Sequence, residues 1–182
     1  MVEVLKCIYL KLFIMADYVS TNSKGECVFC GIVKGSIQTP GIFWQDKNFM
    51  AFLSTWPNTE GFTVVIPKKH YLSDCLALPD TVLQEFIIAA KKVSNILLKH
   101  FDDVGRIGLI MEGTGVDHAH IKLIPLHNTQ NLKEGRFMQF SNKNKQFFNE
   151  YPGFLISCDG PKADIKQLKK LARELSNIDK KS

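Results

Sequence analysis

His118, His120 and Lys122 stand at alternate positions of the run Val116-Asp117-His118-Ala119-His120-Ile121-Lys122-Leu123-Ile124-Pro125. On a strand, alternation sends every second side chain to one face. The three basic side chains would then share one surface, with Ala119, Ile121 and Leu123 packed on the other. Two imidazoles and an ammonium in a row suit a metal ligand beside a nucleophile, or a site for phosphate. Cys27-Val28-Phe29-Cys30 is the second candidate, because its spacing is that of zinc ligands. A redox pair and a chance pair of packed cysteines share that spacing, although no thioredoxin-like strand–helix context surrounds it. A tetrahedral metal needs two more ligands, and no second C-x-x-C exists, so His70, His100, His118, His120 and His127 are the pool. His100 is explained by its place at a helix end, where a cation meets the dipole well. His127 sits in a loop without an evident partner, and His70 alone reads as structural. Only His118 and His120 project together from one strand face.

The elements that must position these residues follow from punctuation and period. Residues 27–34 form a turn or short helix. Residues 41–46 and 49–53 read as strands about a turn, and residues 62–66 as a β-rich run stopped by Pro67. Pro79-Asp80 opens a helix to about His100, with Asp80 as N-cap and Leu83, Phe86, Ile87, Ala90, Val93 and Leu97 on its apolar face. Residues 107–111 are a strand, and Glu112-Gly113-Thr114-Gly115 turns it into the histidine strand, which favours antiparallel pairing. Further on, residues 154–157 read as a short strand and Asp159-Gly160-Pro161 as a turn. Residues 164–177 read as an amphipathic helix, with Leu168, Leu171, Ala172 and Leu175 on one face and Lys166, Lys169, Lys170 and Arg173 on the other.

Composition bounds the class. At 182 residues, with 45% apolar and 23% charged residues, the chain fits one domain with decorations. No apolar run approaches the roughly 20 residues of a membrane span. Residues 4–15 are apolar but interrupted by Lys6 and Lys11, unlike a signal peptide, and Met15-Ala16-Asp17 reads like an ordinary translation start. Five cysteines, an odd number, point to a reducing, cytoplasmic compartment rather than a disulfide framework. Of the net charge of +5, residues 162–182 carry +4, from seven Lys/Arg and three acids. The near balance elsewhere argues against a nucleic-acid-binding domain.

These motifs, in this order, resemble the histidine triad (HIT) superfamily of nucleotide hydrolases and transferases. The resemblance spans residues 26–128: Cys27-x-x-Cys30-Gly31, Ala51-Phe52-Leu53, Gly61-Phe62-Thr63-Val64-Val65-Ile66-Pro67-Lys68-Lys69-His70, and the row from His118 to Pro125. It implies an α+β fold, an antiparallel sheet of about five strands packed with a long helix. It makes residues 1–25 a flexible tail, 26–128 the HIT domain, and 129–182 an extension with its amphipathic helix. It implies a structural zinc ion on Cys27, Cys30, His70 and His118, a closed four-ligand site that holds the fold rather than activating water. It implies a homodimer joined through the long helix and an edge strand. It gives His120 the role of nucleophile toward a nucleoside phosphate, by way of a nucleotidyl-imidazole intermediate. Backbone N–H groups of the turn Glu112-Gly113-Thr114-Gly115 would stabilise the developing charge, although a tight hairpin explains the glycines equally well.

The chain departs from the pattern at several places. Lys122 holds the third triad position, keeping a cation there but not a good proton donor. Ser54 stands where an aspartate commonly holds the ribose, Met111 where asparagine is common, and Thr114 and Gly115 where Gln and Ser commonly meet phosphate. The expected function is therefore a nucleotide phosphohydrolase or nucleotidyl transferase. Its substrate would be a nucleoside phosphoramidate, a dinucleoside polyphosphate or a similar phosphate ester, with His120 and Lys122 catalytic. The alternative is a non-catalytic nucleotide-binding or interaction module on the same fold.

Overall fold

The computed structural model describes residues 25–39, 41–136 and 164–166. The chain divides into two units, Met1–Arg136 and Phe137–Ser182. In the first, α1 (Val28–Lys34) precedes β1 (Ile42–Gln45), β2 (Phe49–Leu53) and β3 (Thr63–Pro67). The long helix α2 (Asp80–His100), β4 (Ile107–Ile110) and β5 (Ile121–Pro125) follow. The strands form one antiparallel sheet in the order β1-β2-β3-β5-β4, so the α+β fold expected from the sequence is the one observed. In the second unit, Asp164 Oδ1 accepts the Lys166 N–H at 2.7 Å and Ile165 and Lys166 are helical, where the amphipathic helix was expected to open. The remainder of that helix, the strand at 154–157, the turn at 159–161 and residues 1–24 lie outside the described residues.

Strand alternation divides the interior into two layers. Phe49, Ala51, Val65, Ile121 and Leu123 face α2, where Phe86, Ala90, Val93 and Leu97 complete a core. Met50, Phe52, Val64 and Ile66 face the other way, onto Phe29 and Ile32 of α1. Because β2 and β3 are covered on both faces, they read as continuous apolar runs. Phe86 is fully buried and stacks on Phe49 at 5.3 Å between ring centroids, contributing roughly 2–3 kcal/mol by area alone.

The register places the chemistry. Val64 pairs with Lys122, and Val65 with Ile121. Paired residues share a face, so Lys122 lies on the α1 side and Ile121 on the α2 side. The ladder stops at Ile121: His118 and His120 precede β5 instead of lying within it. Ala119 N–H donates to the Tyr71 carbonyl at 2.9 Å, and His118 N–H to that of Val116 at 2.7 Å, so this segment is held by its own contacts. The two histidines also do not form an exposed surface, since both are buried.

Two details of α2 differ from the sequence expectation. Pro79 is the N-cap, Asp80 is the first helical residue, and no side chain caps the end. Asp80 still meets the positive end of the helix dipole. Ile87 is 39% exposed because it sits at the margin of the apolar stripe. At the other end, Lys133 Nζ donates to the carbonyl of Leu98 in the last turn of α2 and to those of Phe101 and Asp102 just beyond it. Among the described residues no helix is long and apolar enough to cross a membrane.

Candidate functional site

The short helix α1 brings the two thiols together. Cys27 is its N-cap and Cys30 lies one turn on, with the Gly31 N–H bonded to the Cys27 carbonyl at 2.9 Å. Gly35, in the left-handed conformation at φ 76°, ends the helix. His70, three residues past the end of β3, and His118 meet these sulfurs. Cys27 Sγ lies 3.5 Å from His118 Nδ1, and Cys30 Sγ lies 3.4 Å from His70 Nδ1 and 3.6 Å from His118 Nδ1. The two Nδ1 atoms are 3.3 Å apart. All four ligand atoms fall within 4.8 Å of one another, a group that could hold a metal ion. His118 Nε2–H donates to the Pro67 carbonyl at 2.8 Å, which leaves the Nδ1 lone pair facing the sulfurs. Burial, then the neighbouring Cys27 sulfur, pushes the Cys30 thiol up to about 11. Burial also holds the His118 imidazole below its ordinary range, and so neutral, as a ligand must be.

His120 is oriented differently. Its Nδ1–H donates to the His118 carbonyl at 2.8 Å, so Nε2 carries the free lone pair. Phe29 touches both rings edge-on, with centroids 5.7 Å from His118 and 5.6 Å from His120. Burial lowers the His120 pKa most, and the Lys122 charge adds to this against the opposing His118 carbonyl, so the ring is neutral near pH 7. Behind it, the buried Cys75 thiol donates to the His120 carbonyl at 3.5 Å.

Lys122 is not a free cation. Its Nζ donates to Glu112 Oε1, and the Thr114 hydroxyl donates to the same oxygen at 3.1 Å. Burial pushes the Glu112 carboxyl up, but the Lys122 bond and charge outweigh it and hold the acid below its usual range. Glu112 was assigned only a turn by sequence reasoning. The signal that could have found it is register: Ile110 pairs with Lys122, so Glu112 follows two residues beyond, on the same face. The turn is fixed by Gly113 (φ 67°) and Gly115 (φ 95°), and a Cβ on Gly113 would lie 2.7 Å from the Ser73 carbonyl. Asp117 pins the same segment, accepting the Ser73 N–H at 3.0 Å.

The remaining sites are placed as follows. Ser54 directly follows β2 and its Oγ accepts the Trp56 N–H at 3.1 Å, a turn bond. His100 ends α2 with its ring against Phe101. His127, expected without a partner, has two: Nδ1 meets the Asp103 carboxylate at 3.0 Å and Nε2 donates to the Glu60 carbonyl at 3.1 Å.

The HIT domain model matches residues 38–145, beginning downstream of Cys27 and Cys30. An uncharacterized HIT-like protein of Methanocaldococcus jannaschii is 35% identical over 103 residues, 54% of this chain and 78% of that one. The adenosine 5'-monophosphoramidase HNT1 of Saccharomyces cerevisiae is 28% identical over 172 residues, 89% of this chain and 92% of that one. The crystal structure of a HIT family protein from Bacillus anthracis superposes with a TM-score of 0.55 at 27% identity, covering 83% of this chain and 95% of that one. With well over half of its length matched by the family model and the sheet order described above, the chain belongs to the HIT domain family.

Proposed function

We propose that the protein is a zinc-stabilised nucleotide phosphohydrolase or nucleotidyl transferase that works through His120. The observation that carries this reading is the His120 ring itself: buried, anchored at Nδ1 by the His118 carbonyl, and turned so that Nε2 faces the Thr114 turn. That is the arrangement a nitrogen nucleophile requires. Nε2 attacks phosphorus, and the N–P bond forms as the bond to the leaving group breaks. The leaving group departs with the electron pair and takes a proton from solvent. Water then attacks phosphorus, the N–P bond returns its pair to Nε2, and a proton goes to solvent. In a transferase another acceptor replaces water. Lys122, one N–H of which is held by Glu112, offers a further N–H to the phosphate oxygens from the third position of the row. The similarity to the yeast adenosine 5'-monophosphoramidase supports a nucleoside phosphoramidate as substrate. Thr114, Gly115 and Ser54 are proposed to contact its phosphate or ribose.

The donor set fits zinc. A tetrahedron with ordinary Zn–S and Zn–N bonds has edges of about 3.3 Å between nitrogens and about 3.6 Å between nitrogen and sulfur. Four of the six edges, at 3.3 Å between nitrogens and 3.4–3.6 Å between nitrogen and sulfur, match these lengths. Cys27, Cys30, His70 and His118 would hold the ion, which ties α1 to the segment carrying the nucleophile. The expected homodimer has apolar surface to use, since Ile88 on α2 and Leu109 on edge strand β4 are 51% and 46% exposed. A monomeric mass by light scattering would contradict it.

The function is tested with adenosine 5'-phosphoramidate. Wild type should release AMP, and His120→Ala should lose turnover by about a thousandfold or more while retaining zinc and its melting temperature. Unchanged turnover in that variant would refute the assignment.

A further inference from the structure

The pairing of Lys122 with Glu112 has a consequence for selectivity. We propose that Glu112 is a specificity-determining residue: by neutralising Lys122, it makes the His120 site favour a single phosphate over one bearing further anionic phosphates. This rests on His120 as the residue that meets phosphorus.

Three observations support the assignment. First, Lys122 is the ammonium of the row, and its Nζ is bonded to Glu112 Oε1. Second, the Thr114 hydroxyl bonds that same oxygen at 3.1 Å, so the carboxylate is held from two sides. Third, the pair is partly shielded, with side chains 24% and 15% exposed, and both charges act on the His120 ring. Screening by solvent is weaker in such a place than at an open surface. A lone Lys122 would attract each added phosphate. With Glu112 beside it the two charges cancel, so phosphates beyond the first gain no net attraction from this pair. A neutral or cationic leaving group loses nothing by that cancellation.

The test is calorimetric titration of the zinc-loaded full chain with AMP and with the α,β-methylene analogue of ATP, at one ionic strength. The quantity read is the ratio of the two affinities. Glu112→Gln leaves a net positive site and should shift the ratio roughly tenfold toward the ATP analogue. Lys122→Met leaves a net negative site and should shift it by a similar factor toward AMP. The double variant, neutral again, should return to the wild-type ratio. A merely structural ion pair would lower stability in both single variants without moving the ratio in opposite directions. An unchanged ratio in both, or a double variant that stays shifted like Glu112→Gln, would overturn the proposal. Absence of nucleotide binding by wild type would overturn the nucleotide reading itself, a different and distinguishable failure.

Discussion

His118 and His120 sit two residues apart and expose opposite nitrogens. His118 gives Nε2–H to the Pro67 carbonyl and keeps Nδ1 for the sulfurs, whereas His120 gives Nδ1–H to the His118 carbonyl and keeps Nε2. The backbone thus selects each tautomer, turning Nδ1 of one ring toward the thiols and leaving Nε2 of the other without that carbonyl. His127 makes the third use of an imidazole, with both nitrogens facing acceptors. The Glu60 carbonyl first, and then the Asp103 carboxylate, hold its pKa above the ordinary 6.5, since only the doubly protonated ring satisfies both. A raised folded-state pKa contributes stability fully below 6.5, lost as pH rises through the folded value. Asp103 is held below its ordinary 3.8, mainly by the Asn128 N–H, so its contribution is present above that pH and lost as pH falls through its lowered value. His127→Ala should therefore destabilise most between these limits, and less in alkali. NMR titration of the ring giving a pKa below 6.5 would contradict this.

At the scale of elements, α2 was legible because six apolar positions at helical spacing leave little alternative, and β2 because apolar residues bounded by turn residues fit a strand. The histidine segment was legible in residue type but not in conformation. Alternation predicted a strand from 116 onward, whereas the ladder begins at Ile121 because Tyr71 takes the Ala119 N–H. That competitor lies 48 residues away and leaves no local trace. The same holds for Glu112, whose partnership depends on how β4 and β5 are aligned. The Ser73 carbonyl against Gly113 gives an element-scale test. Gly113→Ala should cost about 1–3 kcal/mol, since it combines a positive φ with a clash. An unchanged melting temperature would show that the 111–118 turn is not seated against residue 73.

At the scale of the molecule, the four candidate metal donors come from three separate stretches of chain: α1, the segment after β3, and the segment before β5. A metal there would cross-link α1 to two segments that flank the paired strands β3 and β5. Binding at ~1,000 times its Kd would add about 4 kcal/mol, or roughly 10 °C in melting temperature for a chain of this size. Cys27→Ser, or wild type stripped with a chelator, should melt lower by an amount of that order, and zinc should restore only the stripped wild type. Equal melting temperatures with and without zinc would remove the structural role.

That His120 bonds to phosphorus is tested by mass spectrometry of protein quenched in alkaline denaturant during turnover of adenosine 5'-phosphoramidate. An adenylyl group should be found on the peptide containing His120, and it should be absent when His120 is alanine. Turnover with no adduct on any residue, or an adduct that persists in His120→Ala, would contradict it.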